Sequence, residues 1–477
     1  MVNKKTKIIA TIGPSTCDKN SLRKLYKYWV NIVRFNFSHF EQKNCQKIIE
    51  RINDLNFYWE TNLSLLLDTK WPEIRTGKLS QELYYKKGEY FKIFVNKKNQ
   101  KWQKSLFCDY EPLLNLKVGD TIRIDSWLFD VQVKSKETDH IVVKALNDAV
   151  IGSYRHINLP NIKVQLPWIT NKDKKDILFG IKNWIDFVAL SFVRSKENIF
   201  ELKRFLKRHN AEHIKIISKI ENQEWIDNID EIVYHSDWIM IARGDLGIEM
   251  PIQRLPNYQK TIVDKCQQAW KFVIIATHLL ETMVENPFPT RAEVSDIHNA
   301  VLQKADALML STETTIGRYP IKAINIMTKI IQQTETNIFY QHLWFENNWL
   351  TNRDIEKKEL IKSALYVSEN LSAKAIIILT KSWKLARLAA AYKPNNQVYA
   401  FTMKKSSVKY MNILFWIEPI YMNFDWSNTE NLELWVKYLF KIWKINLQDK
   451  VIWITDLYKN WKELPIMEIL YVSDILD

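Results

Sequence analysis

Short runs of β-branched and other apolar residues recur from the amino terminus to about residue 310: Ile8 to Ile12, Ile32 to Phe37, Leu63 to Leu67, Ile185 to Phe192, Ile214 to Ile217, Ile239 to Ala242, Val273 to Ala276 and Ala307 to Leu310. Stretches with helical spacing of apolar positions lie between them, such as Glu201 to Arg208 and Gln259 to Trp270. Runs that are apolar at consecutive rather than alternate positions indicate parallel strands covered on both faces. Eight of them alternating with helices predict an α/β protein built on a closed (β/α)8 TIM barrel.

More than a hundred residues separate the third run from the fourth, too many for one helix. Within them, alternating patterns at Tyr90 to Val95, Thr121 to Ile124, Val131 to Val133 and Ile141 to Val143 predict a small inserted β-barrel domain. It would cover the carboxyl end of the barrel as a lid. After a helical stretch around Ile330 and a polar, aromatic segment from Phe345, strands at Ala375 to Leu379, Val398 to Thr402 and Val451 to Thr455 predict a carboxyl-terminal α/β domain. The expected organisation is a discontinuous catalytic barrel over 1–70 and 166–340, a lid over 71–165 and an α/β domain over 345–477.

A chain of 477 residues is long enough for two or three cores. Its formal charge of +14 comes from lysines scattered through every segment, without a basic block, which argues against nucleic-acid binding. Cys17, Cys45, Cys108 and Cys266 are far apart and form no Cys-x-x-Cys pair, so a reducing cytoplasm is expected. No run of about 18 apolar residues predicts a membrane span.

Polar residues directly after barrel strands are the candidate site. They are Arg34, Asn36, Ser38 and His39 after strand two, and Asp68, Thr69 and Lys70 after strand three. Strands five and six supply Lys219, Glu221, Arg243, Gly244 and Asp245; strands seven and eight supply Thr277, His278, Ser311, Thr312 and Glu313. Strand alternation puts Lys219 and Glu221 on one face, aimed at a common ligand. Alone, that pair reads more readily as an ordinary ion pair at a strand end. In a ring of cations and acids it suits an anionic substrate held through a divalent metal.

Six stretches, KIIATIGPS (Lys7 to Ser15), VRFNFSH (Val33 to His39), LDTKWPEIRTG (Leu67 to Gly77), ISKIENQE (Ile217 to Glu224), ARGDLG (Ala242 to Gly247) and NPFPTRAEVSD (Asn286 to Asp296), resemble the pyruvate kinase family in order and spacing. The resemblance runs from Lys7 to about Pro320 and, more weakly, beyond. It implies phosphoryl transfer from phosphoenolpyruvate to ADP, giving pyruvate and ATP in the last step of glycolysis. It also implies that Glu221 and Asp245 ligate Mg2+ or Mn2+, that Lys219 and Arg34 meet the transferring phosphoryl group, and that Thr277 lies near the carbon gaining a proton. Backbone amides around Arg243, Gly244 and Asp245, with the Thr277 hydroxyl, would hold the substrate carboxylate. Asn36, Ser38, Asp68 and Thr69 match a K+ site, with Glu73 the acid that accompanies potassium dependence. Arg34, His39 and Arg155 would face the nucleotide, Arg155 standing where the family has lysine. His278 replaces a usual glutamine. Thr380 to Ala386 resembles the effector phosphate loop, departing at Trp383 and Leu385, so the effector stays open. A homotetramer is the family expectation. A lyase or aldolase barrel of the same superfamily would lack the lid and the potassium residues; a degenerate regulatory homologue would not keep Lys219, Glu221, Asp245 and Thr277.

The composition carries one anomaly: 9 glycines against 19 tryptophans, where about 7% glycine, or about thirty residues, is usual. Tryptophan stands at family glycine positions at Trp29, Trp71, Trp127, Trp184, Trp225, Trp238, Trp270, Trp383 and Trp416. Two readings remain open at this stage: UGA codons, glycine in some bacterial lineages and tryptophan in others, or an enzyme that truly carries indoles there. Real indoles would weaken lid closure, because Trp71 lies at its hinge.

Overall fold

The computed structural model describes residues 4–70, 74–95, 104–125, 128–159, 169–338, 352–423, 431–459 and 462–476. Trp71, Glu73, Trp127 and the segment from Phe345 lie outside them. All eight apolar runs are parallel strands: β1 (Lys7–Thr11), β2 (Val30–Asn36), β3 (Ser64–Asp68), β4 (Phe187–Leu190), β5 (Lys215–Ile220), β6 (Trp238–Ala242), β7 (Phe272–Ala276) and β8 (Ala307–Leu310). They close in sequence order, β8 pairing with β1 from Lys7 opposite Ala307 to Ala10 opposite Leu310.

The period of two along each strand sorts side chains into two cores. Ile9, Ile32, Leu66, Ile217, Met240, Ile274 and Met309 fill the barrel interior. Ile8, Val33, Leu65, Val188, Ile216, Ile239, Val273 and Leu308 pack outward against the helices. Both sets are almost wholly buried, which is why the runs are apolar at every position.

The insert forms a six-stranded sheet ordered Ile157–Asn158, Thr121–Ile124, Phe129–Lys136, His140–Ala145, Tyr90–Phe94 and Ser105–Phe107. A two-stranded ribbon, Leu83–Tyr85 with Ala149–Ile151, closes over Tyr85, Phe91 and Phe129, whose rings stack. The insert leaves the barrel at the carboxyl end of β3 and docks on the helix Arg243–Glu249. Arg123 donates to the Ile248 carbonyl at 2.6 Å, and Asn158 donates to the Glu249 carboxylate at 2.6 Å.

The carboxyl-terminal sheet has five strands: β9 (Ala375–Leu379), β10 (Gln397–Thr402), β11 (Ile417–Tyr421), β12 (Lys450–Lys459) and β13 (Lys462–Tyr471), in the order β11-β10-β9-β12-β13. Only β13 is antiparallel. Its central strands are the three predicted from sequence. The two edge strands carry Pro419 and Pro465 and give no clean apolar run, as edge positions allow.

This domain packs under the amino end of the barrel through buried polar contacts. The Lys7 ammonium donates to the Ile417 carbonyl at 2.7 Å, Lys409 donates to Asn62 Oδ1 at 2.9 Å, and Lys393 pairs with Asp306 at 2.5 Å. Among the described residues no helix is long and apolar enough to cross a membrane.

Candidate active site

The carboxyl ends of β2, β3, β4 and β5 lie side by side, which gathers their polar residues. Register sets Asn36 beside Asp68, and Asp68 beside Ala189. Asp68 is fully buried and shared by two cations. Arg34 donates Nε to Asp68 Oδ2 at 2.7 Å and Nη1 to Thr11 Oγ1 at 2.9 Å, while Lys219 Nζ stands 3.2 Å from Asp68 Oδ1. Lys219 also donates to Ser191 Oγ at 2.9 Å and lies 2.8 Å from Glu221 Oε1.

The electrostatics follow from this sharing. Burial works against the Lys219 ammonium, but Asp68 and Glu221 outweigh it and hold the group above the usual lysine value. Burial likewise opposes ionised Asp68, yet Lys219 and Arg34 together keep its carboxyl below the usual aspartate value. Glu221 fares differently. Burial pushes its carboxyl up, Lys219 pulls it down, and nearby Asp245 adds to the rise. One ammonium divided between two carboxylates, one of which has Arg34 as well, leaves Glu221 under-compensated. Its Oε2 accepts the Phe192 N–H at 2.7 Å, and its buried Oε1 lies 2.8 Å from the Lys219 ammonium that Asp68 also draws on. A buried carboxylate short of counter-charge, beside a second carboxylate, is a place for a cation.

Asp245 sits half-buried in the first turn of the helix Arg243–Glu249. The side chain of Arg243, two residues before it, is held by protein groups. Arg243 donates to the Thr277 carbonyl at 2.7 Å and the His278 carbonyl at 3.2 Å, and pairs with Asp296 at 2.8 Å. Those two carbonyls belong to residues in the left-handed region, Thr277 with φ 67° and His278 with φ 52°. Phe192, whose amide serves Glu221, has φ 51°. Non-glycine residues held in this region carry strain that the surroundings must fix, a recurrent feature of functional sites. Thr277 Oγ1 donates to the Ala276 carbonyl at 2.6 Å and accepts the Gly244 N–H at 2.7 Å.

The remaining sequence candidates divide. Thr69 and Asn36 adjoin Asp68; Asn36 Oδ1 accepts the Ser38 N–H at 3.1 Å, and Thr69 Oγ1 accepts the Ser191 N–H at 3.2 Å. His39 is exposed on the same rim. Arg155 lies in the insert, 3.4 Å from Asp125. Glu313 is structural, its carboxylate accepting the Leu280 N–H at 3.1 Å and the Ser311 N–H at 2.7 Å. The Thr380 to Ala386 loop is at the opposite end of the barrel, where the Trp383 ring stacks on Trp238 at 5.9 Å. Ser191 escapes the sequence reading. It is buried between Lys219 and Thr69, donating to the Thr69 carbonyl at 3.0 Å. Its signal was a hydroxyl interrupting the run Ile185 to Phe192.

Chemically, the cluster offers two cations, Arg34 and Lys219, interleaved with the Asp68 and Glu221 carboxylates, and a strained hydroxyl-bearing turn, Thr277, bonded to the helix that carries Asp245. That arrangement can hold a polyanion, polarise it and stabilise charge that moves within it. Comparison with known proteins agrees in both domains. Residues 3–324 match the family model described as the pyruvate kinase barrel domain, and residues 358–461 match the pyruvate kinase alpha/beta domain. A pyruvate kinase of Clostridium acetobutylicum is 37% identical over 419 residues, 87% of this chain and 88% of that protein. The chloroplastic pyruvate kinase isozyme G of Nicotiana tabacum is 34% identical over 438 residues, covering 91% of this chain and 77% of its own length. Among solved structures, a pyruvate kinase from Cryptosporidium parvum superposes with a TM-score of 0.90 at 32% identity, over 98% of this chain and 96% of that one.

Proposed function

This chain belongs to the pyruvate kinase family, which moves a phosphoryl group from phosphoenolpyruvate to ADP, and we propose that the cluster around Lys219 is where it does so. Arg34 and Lys219 bind the phosphoryl group of phosphoenolpyruvate. Lys219 carries its full charge at any working pH because Asp68 and Glu221 hold it protonated. Charge on the equatorial oxygens of the group in flight is therefore met by a donor already in place.

Transfer breaks the bond between phosphorus and the enol oxygen as an oxygen of the ADP β-phosphate takes its place, leaving the enolate of pyruvate. The helix Arg243–Glu249 and the Thr277 turn hold the carboxylate of that enolate. Protonation at its terminal carbon completes pyruvate. The Thr277 hydroxyl is nearest to that role, although it donates its hydrogen bond to the Ala276 carbonyl, so the hydroxyl must turn before it can pass a proton on. His39 and Arg155 would meet the nucleotide.

Glu221 and Asp245 would hold Mg2+ or Mn2+, which when bound neutralises phosphate and carboxylate oxygens together. The observation that supports this is the buried Glu221 carboxylate, which shares the one Lys219 ammonium with Asp68 and has the Asp245 carboxylate beside it. Asn36, Ser38, Asp68 and Thr69 form an all-oxygen set whose single carboxylate is already shared with Arg34 and Lys219, which suits a monovalent cation such as K+.

The test is a coupled assay for pyruvate from phosphoenolpyruvate and ADP, with the divalent ion and K+ varied separately. Pyruvate should form only with the divalent ion and faster with K+. Glu221→Gln should raise the divalent concentration needed by more than the roughly 10- to 100-fold that outer-shell partners are worth. Absence of pyruvate with both ions present ends the assignment of the site; full rate in chelator ends the metal assignment alone.

A further inference from the structure

We propose that Trp29, Trp59, Trp184, Trp225, Trp238, Trp270, Trp383, Trp416 and Trp443 are glycines in the protein that its own cell makes, specified by UGA codons read as glycine. The backbone carries the argument. Eleven tryptophans fall within the described residues, and seven of them, Trp29, Trp59, Trp184, Trp270, Trp383, Trp416 and Trp443, have φ between 56° and 71°. Only a few per cent of non-glycine residues adopt that region, and tryptophan has no local hydrogen bond to favour it as asparagine does.

Their places in the fold are those where chains use glycine. Five follow the last residue of a helix. Beyond the helix Gln42–Phe57, the Trp59 N–H bonds to the Asn56 carbonyl at 3.3 Å and the Glu60 N–H to the Leu55 carbonyl at 3.0 Å. The same pair of bonds closes three more helices: Asn171–Lys182 through Trp184 and Ile185, Leu255–Gln268 through Trp270 and Lys271, and Asn431–Lys441 through Trp443 and Lys444. Trp29 closes Lys19–Lys27 with a bond to the Tyr26 carbonyl at 2.9 Å. This is the Schellman ending, whose left-handed residue is usually glycine.

The exposed indoles give no reason to be there. Trp59, Trp184 and Trp443 are 65%, 76% and 85% exposed, so packing does not account for them. Trp225 and Trp238 are the opposite case: both are buried, and neither indole N–H has a hydrogen-bond partner, where buried indoles usually find one. They flank the Ser218 to Asn222 and Ala242 to Leu246 segments of the site. Positions that punish a large side chain are filled by the largest one. The genetic code explains the pairing, because UGA differs from the glycine codon GGA only in its first base and from the tryptophan codon UGG only in its last. The shortage of glycine follows from the same cause.

Tandem mass spectrometry of peptides from the protein purified from its native cells, read across Trp59, Trp184 and Trp443, tests this directly. The residue mass of glycine at all three is expected; the mass of tryptophan at any of them overturns the proposal. A second measurement compares recombinant chains carrying tryptophan or glycine at the nine positions. The glycine chain should melt at the higher temperature and have the larger soluble yield, and an equal or lower Tm would overturn the structural argument. Neither readout depends on catalysis, so both are separate from any failure of the assay for pyruvate.

Discussion

The two ends of the barrel both bury charge, but they do so in opposite ways. At the carboxyl end one ammonium serves two carboxylates and one carboxylate serves two cations, so Lys219 is held more basic and Asp68 more acidic than usual. At the amino end Lys393 and Asp306 form a closed pair across the junction with the carboxyl-terminal domain. Burial there pushes Lys393 down while Asp306 pulls it back only in part, and pushes Asp306 up despite Lys393. Charge at the first end is reinforced by surplus partners; at the second it is merely tolerated. Sharing is what leaves Glu221 short of positive charge and open to a cation, and the closed Lys393–Asp306 pair is what makes the other end a fastener.

Removing Lys219 should therefore cost most, because it breaks both catalysis and the local charge balance. Lys219→Met is expected to lower kcat by about 10²- to 10³-fold, the usual loss for one preorganised donor at a developing charge. It should also destabilise the fold by roughly 3–5 kcal/mol, since Asp68 and Glu221 would face each other with one cation fewer. Steady-state kinetics with thermal unfolding checks both. A variant that keeps its kcat would show that the surplus charge is structural.

Lys393→Met should separate the two ends. Stranding buried Asp306, which also accepts the Val273 N–H at 2.9 Å, should destabilise by roughly 3–5 kcal/mol in denaturant unfolding. With the remaining folded enzyme at saturating substrate, kcat should be unchanged. A fall in kcat without loss of stability would mean that the fastener communicates with the site.

The contrast also explains what could be read from sequence. Barrel strands were legible because burial on both faces demands consecutive apolar residues, and the polar residues that follow them, Arg34, Asp68, Lys219 and Glu221, were legible by position. Ser191 was not, since it ends a run that reads as strand. Nor was the duty of Arg243, whose bonds to the Thr277 and His278 carbonyls depend on a turn that no pattern announces. The edge strands β11 and β13 carry proline and half-exposed faces, so they left no run to detect. Trp59 and Trp443 were missed as glycine positions because they lie where the family resemblance offers no motif; only their backbone angles reveal them.

The smallest expected effect is a pH dependence confined to one end. Burial lowers the Lys7 ammonium from the usual lysine value to about 8, with Glu418 and Glu335 opposing it. A base more acidic folded than unfolded contributes stability that is fully present above its unfolded value, 10.5, and lost as pH falls through about 8. Below pH 8 the folded protein therefore holds a charge it would rather shed, at a cost of up to about 3 kcal/mol. Lys7→Met removes that cost together with the bond to the Ile417 carbonyl. The stability difference between the parent and Lys7→Met should shift in the parent's favour by up to about 3 kcal/mol between pH 7 and pH 10.5. Over the same window Lys219 stays protonated, so the site should show no matching loss of its ammonium. Denaturant unfolding of both chains across that range decides it: a difference that does not move with pH would mean that Lys7 is already neutral, or solvated, at the junction.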